Sequence, residues 1–253
     1  MNKILVINNK IKDVYLDELM ISNNTIKFMQ NGDYEIEYLD CDEVKLVINV
    51  DKNVFVKLFE YSNNHDIKIN NTYNLLENAN LLLYKFEAND NTLENLVFNL
   101  EESNAKLNYN FSSIASLKDI YKISINHNSS NTFSNVVNRS IAKDDASIDF
   151  TIDSNLPKGK EKCYLNQDTK IITFGKNNSV IRPNMFIEEL DVEARHASAI
   201  GRFSLDDIFY LMARGIKYDE AIKLLIKGLI FSNLVANLEQ RERIFNIISA
   251  NWR

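Results

Sequence analysis

The side chains with the most chemical potential gather between residues 191 and 216, in DVEARHASAIGRFSLDDIFYLMARGI. His196 is the foremost of them, because a neutral imidazole binds transition metals through one ring nitrogen while a carbonyl or carboxylate orients the other. A lone histidine among apolar neighbours is more often a hydrogen-bonded core residue than a ligand, and both roles stay open from the residues alone. Asp206, Phe209, Tyr210, Arg214, Gly215 and Ile216 follow closely, mixing charge, aromatic surface and a glycine stop. Elsewhere the chemistry is sparse. Cys41 and Cys163 lack C-x-x-C spacing, so neither a disulfide framework nor a zinc site follows from them, and an inert buried thiol suits each. His65 and His127 stand isolated, which points to surface or structural roles. No phosphate loop of the form G-x-x-x-x-G-K-[ST], no G-x-S-x-G elbow and no H-E-x-x-H helix is present. The chain reads as a non-enzyme.

The elements that position these residues can be read from periodicity. Leu190, Val192, Ala194 and His196 alternate with Asp191, Glu193, Arg195 and Ala197, predicting a strand with one buried face and His196 on it. The period then lengthens to that of a helix. Ser204 and Asp207 form a capping-box-like start, Ile208, Leu211 and Met212 an apolar face, and Gly215 a left-handed stop. On this reading Phe209 and Tyr210 fill the core and Arg214 complements the negative helix end. Asp219 and Glu220 open a second helix with Ile222, Leu225 and Leu229 as its stripe. A third runs from about 238 to 250, with Ile244, Ile247 and Ile248 on one side.

From Val44 to Phe174 the chain is a series of short alternating segments, clearest at Val44–Val50, Ala105–Phe111 and Ala146–Ile152. Their spacing leaves no room for crossover helices. Hairpin turns of the Asn-Gly kind are confined to Asn31-Gly32, and with 6 glycines and 2 prolines the corners must be supplied by the abundant asparagine. Strands without hairpins or helices suggest a coil of stacked parallel strands, with a sandwich as the competing architecture. No exact internal repeat is visible. The division expected is a β core over 1–200 and a helical segment over 201–253, whose fold-level role is to cap an open strand edge.

At 253 residues with a 45% apolar fraction and a formal charge of −6, the chain is folded and globular in type, and broad nucleic-acid or membrane-surface binding is disfavoured. Lys158, Lys160 and Lys162 form a short run best read as a solvated turn. No apolar stretch approaches the ~20 residues that span a bilayer, and no secretory signal is evident, so a cytoplasmic location is the default expectation.

The pattern D-V-x-A-x-H-A-x-x-x-G, then I-F-Y-L-x-x-R-G-I and E-A-x-x-L-L, running from Asp191 to Leu225, resembles the C-terminal signature of the SufB/SufD family, and residues 127–150 are similar to its preceding core segment. The resemblance implies a mainly β fold, a right-handed parallel β-helix with a small C-terminal α-helical segment. It implies a SufD-like, non-enzymatic subunit of the SUF iron–sulfur cluster assembly system that pairs with a SufB-like scaffold, or with itself. It also implies docking of a SufC-like ABC ATPase through C-terminal helices, with Asp206, Phe209, Tyr210, Arg214, Gly215 and Ile216 in the partner-binding stretch. His196 matches a histidine implicated in iron or cluster assembly at the shared interface. The chain departs from the family at Ala194, where SufD members often carry cysteine, at Ala197, where SufB members have glutamate, and at Ala213, where serine is usual. Thiolate is the usual cluster ligand, so no cofactor is expected on this chain alone, and transient iron or a cluster would be shared with a partner. A structural solenoid module without cluster chemistry is the alternative. A polysaccharide-acting β-helix enzyme is a third reading, resting only on Asp149 and Asp153 sharing a strand face.

Overall fold

The computed structural model describes residues 2–12, 19–176 and 178–252. Alternating segments pair in parallel across successive coils to form two facing nine-stranded sheets. The first sheet stacks Val192–Gly201, Cys163–Thr173, Phe133–Ala142, Lys106–Ala115, Asn80–Glu87, Phe55–Ser62, Gly32–Leu39 and Asn2–Ile7, with Lys10–Ile11 antiparallel at its far edge. The second stacks Val180–Ile187, Ser147–Leu156, Lys118–His127, Asn91–Leu100, Asp66–Leu75, Val47–Val50 and Thr25–Phe28, ending on an antiparallel Leu19–Ser22; Glu43–Val44 also joins Asp66–Leu75. The chain is thus a parallel β-solenoid with three short helices at its C-terminal end.

Period-two alternation builds the interior. Ile148, Phe150 and Ile152 point inward beside Tyr121, Ile123 and Ile125 of the preceding coil, all buried. Aromatic rings continue this stacking from coil to coil, as Tyr73 on Phe98 with centroids 4.6 Å apart and Tyr121 on Phe150 at 4.8 Å.

Asparagine serves twice. Asn53, Asn78 and Asn104 turn successive corners at φ near +60°, where their short polar side chains are tolerated. On the outer face of the second sheet, Asn155, Asn126, Asn99, Asn74 and Asn49 form a ladder in which each side-chain N–H donates to the next carbonyl oxygen at 2.8–2.9 Å. The hairpin expected at Asn31-Gly32 is instead a corner between sheets. Among the described residues, hairpins turn at Asn8-Asn9 and Asn23-Asn24, both near the N-terminus.

The helical tail does not cap the open end. Helices α1 (Leu205–Ala213), α2 (Tyr218–Ile230) and α3 (Leu238–Asn251) fold back along the outer face of the first sheet. Phe59, Tyr61, Tyr84, Phe86, Ile114, Ile141 and Ile172 project outward there and form a second apolar core with Ile222, Ile226, Ile230, Ile244 and Ile248. The Asn233 side chain fastens the α2–α3 link by donating to the Phe111 and Val137 carbonyls at 3.0 and 2.9 Å, and Arg243 of α3 reaches Glu35 and Glu37. Burying that apolar stripe is worth more than covering one strand edge. Among the described residues, no helix is long and apolar enough to cross a membrane.

Candidate functional site

The candidate site lies where the solenoid ends and α1 begins. Val192–Gly201 is the outermost strand of the first sheet, paired along one edge with Cys163–Thr173. Its register aligns Val192, Ala194 and His196 with Cys163, Leu165 and Gln167, which face the interior. His196 thus continues the inward row, as alternation predicts. The buried face predicted with it is absent: residues 193–201 are all exposed, because no further coil stacks on this strand. Leu190, predicted to share that face, lies outside the strand and is 96% exposed. A hydrogen-bonded core role for His196 is therefore overturned. Its imidazole sits at the open rim of the lumen above the buried amide of Gln167.

No thiol joins it. Cys163 aligns with Val192, four residues back, or about 13 Å along the strand. Its buried Sγ instead contacts Thr132 Oγ1 at 3.2 Å, and Thr132 meets His127 Nδ1 at 2.7 Å while Ser134 meets Nε2 at 2.9 Å. Burial pushes the His127 pKa down to about 4, as suits a neutral structural imidazole. Cys41 is also buried, with its thiol raised by burial and donating to the Val6 and Leu39 carbonyls. His65 is exposed and raised by the Asp90 carboxylate 2.7 Å away. Among the described residues no three His, Cys, Asp or Glu side chains converge to hold a metal ion.

Three residues after the strand, Ser204 caps α1 by accepting the Asp206 N–H at 3.2 Å, a simple cap without the reciprocal bond of a capping box. Ile208 is buried and Leu211 half-buried, whereas Met212, assigned to the same face, is largely exposed. Phe209 and Tyr210 do not fill the core. They are 58% and 57% exposed, and the Arg214 guanidinium lies 4.5 Å from the Tyr210 ring centre rather than serving only the helix end. Gly215 ends the helix at φ +85°, its N–H bonded to Met212 O at 2.9 Å, and Ile216 is half-buried behind it. Leu205, which periodicity did not single out, lies one turn before Phe209 and is also exposed. An exposed strand edge is thus followed along the chain by a helix with exposed apolar side chains.

Residues 41–229 match the sequence model of the family described as SUF system FeS cluster assembly, SufBD core domain, reaching well upstream of the motif at 191–225. The chain is 32% identical over 94 residues to the iron-sulfur cluster assembly protein SufD of Bacillus subtilis, covering 37% of this chain and 22% of that protein. It is 40% identical over 70 residues to an iron-sulfur cluster assembly SufBD family protein of Mycobacterium leprae, covering 26% and 18%. A Mycobacterium tuberculosis protein of the same description matches at 36% over 90 residues, covering 34% and 22%. The matched stretches span about a fifth of the length of these relatives.

Proposed function

This chain belongs to the SufB/SufD family, and on that premise we propose that it is a non-enzymatic, SufD-like subunit of an iron–sulfur cluster assembly scaffold. It pairs through the uncovered strand Val192–Gly201 with a SufB-like protein, and it docks a SufC-like ABC ATPase through α1 and the turn at Gly215. The supporting observation is that this uncovered strand leads directly, within three residues, into the helix that exposes Leu205, Phe209 and Tyr210. An aromatic pair beside an arginine is the composition that carries binding energy at protein interfaces. Arg214, already stacked on Tyr210, is preorganised for contact.

His196 at the rim contributes one imidazole to a site whose thiolate and carboxylate ligands come from the partner, since Ala194 and Ala197 beside it offer none. The cluster is cargo of the assembly, held between subunits. ATP hydrolysis belongs to the docked ATPase, and its motion reaches the shared strand edge through α1, three residues away along the chain.

The test is co-expression with the SufC-like and SufB-like proteins of the same genome, followed by size-exclusion chromatography with light scattering. A stable complex that is lost in a Phe209→Asp, Tyr210→Asp variant supports the reading; elution of the chain alone refutes it. A second reading, a solenoid module without cluster chemistry, draws on Ala194 and Ala197. It is the better one if His196→Ala leaves both the complex and cluster assembly unchanged.

A further inference from the structure

The interior of the solenoid holds a cluster of ionisable groups that the assembly role leaves unused. Lys85 is fully buried, and three carboxyl groups of equal burial surround its ammonium: Glu94 in direct contact, Glu87 at 3.0 Å and Glu60 at 3.6 Å. Asp119, also buried, lies one coil on, aligned with Thr92 and accepting the Tyr121 hydroxyl at 2.9 Å. Glu60 is well served, since Tyr38 and Tyr73 donate to it at 3.0 and 2.6 Å. The remaining ionisable group facing the cluster is Tyr109, whose hydroxyl has no partner. The next coil adds only neutral groups, Ser140 and Asn138.

Four carboxyl groups face one ammonium. If all ionised, three negative charges would stand uncompensated among apolar side chains, at a cost of several kcal/mol per ion. The hydrogen-bond pattern locates the problem: Oε2 of Glu87, Oε2 of Glu94 and Oδ1 of Asp119 are buried with no donor. Adding a proton turns such an oxygen into a donor and removes the charge together. A metal ion is the other way to neutralise the cluster, but no three ligating side chains converge among the described residues and Lys85 fills the space between the carboxyl groups. We propose that the lumen of the solenoid carries two protons at neutral pH, one on the Glu94 carboxyl group beside Lys85 and one on Asp119. Burial pushes the Asp119 pKa up to about 8 and, with the Glu87 charge, raises Glu94, while Lys85 is raised because its three carboxylates outweigh burial.

Infrared spectroscopy of the 253-residue chain in heavy water at about neutral pH tests this, because exposed carboxyl groups are ionised there and only buried protonated ones absorb at the acid carbonyl stretch. The folded wild type is expected to show that band, and Glu94→Gln and Asp119→Asn each to remove about half of it. Raising the pH through about 8 should remove the Asp119 share even if a variant fails to fold. A folded wild type without the band overturns the proposal, as does a stoichiometric metal ion found by elemental analysis.

Discussion

Replacing Arg243 by Ala should loosen the helical tail by about 3 kcal/mol. Arg243 bridges α3 to the second coil: Nη1 donates to Glu37 Oε1 at 3.0 Å, Nη2 reaches Glu35, and the guanidinium lies 4.6 Å from the Tyr61 ring centre. Glu35 and Glu37 are nearly buried, so the variant strands two carboxylates rather than one. Breaking a buried pair costs roughly 3–5 kcal/mol, and the lost cation–π contact about 0.5–1 more. Lys3, which is 2.5 Å from Glu37, and Gln240, which donates to Glu35 at 2.7 Å, remain and offset part of this. The net figure corresponds to roughly a hundredfold loss in docking equilibrium. Hydrogen exchange followed by mass spectrometry should show protection of α3 peptides falling by that factor, with peptides from Ser147–Leu156 unchanged. Adding Glu35→Gln and Glu37→Gln should restore part of the protection, because neutral amides need no cation. A fall of less than about threefold in α3, or an equal fall throughout the chain, would refute the idea that this ion cluster holds the tail.

Asn99→Ala interrupts the asparagine ladder, removing one donated and one accepted hydrogen bond, and should cost about 1–2 kcal/mol in urea denaturation. His127, neutral in the fold with its pKa held down to about 4, binds a proton more readily when unfolded. Its contribution to stability should therefore drop by about 3 kcal/mol as pH falls from about 6.5 to 4, a loss that His127→Gln removes. Asp119 acts in the opposite sense: the fold keeps its proton up to about 8 while the unfolded chain releases it near 4. Stability should fall by roughly 5 kcal/mol as pH rises across that window, a loss that Asp119→Asn removes. Where the windows overlap the two slopes oppose, so the wild-type profile should be nearly flat from about 4 to 6.5 and decline above it. Phe209→Asp should leave the melting temperature within a degree or two, because the ring is exposed and packs on no core.

Much of this architecture was legible because its signals are local. The inward rows Val44–Val50, Ala105–Phe111 and Ala146–Ile152 are buried as alternation requires, and asparagine occupies most of the left-handed corners, with Asp40, Asp144 and Lys162 at others. The repeat itself escaped detection for a physical reason: ladder partners lie 25, 27, 29 or 31 residues apart, since the loops between strands lengthen toward the C-terminus while the strand registers stay fixed. At the candidate site, the row containing His196 was readable from period two. Its exposure was not, because exposure depends on whether another coil stacks above.

The strand Asn80–Glu87 shows where local reasoning stops. Side-chain polarity alone sends Tyr84 and Phe86 to the core and Lys85 and Glu87 to solvent, whereas the fold carries Lys85 and Glu87 inward in the same row as Leu81 and Leu83. Tyr84 and Phe86 face outward under the helical tail, and Lys85 and Glu87 enter the lumen beside Glu94. Sequence by itself determined the strands, their corners, the helical tail and the motif at 191–225, all set by neighbours a few residues apart. Tertiary structure decided which side of a strand is interior, where the tail lies and which coil is left uncovered. Those depend on surfaces brought together from up to 208 residues away, as Arg243 and Glu35 are, and no short-range pattern encodes them.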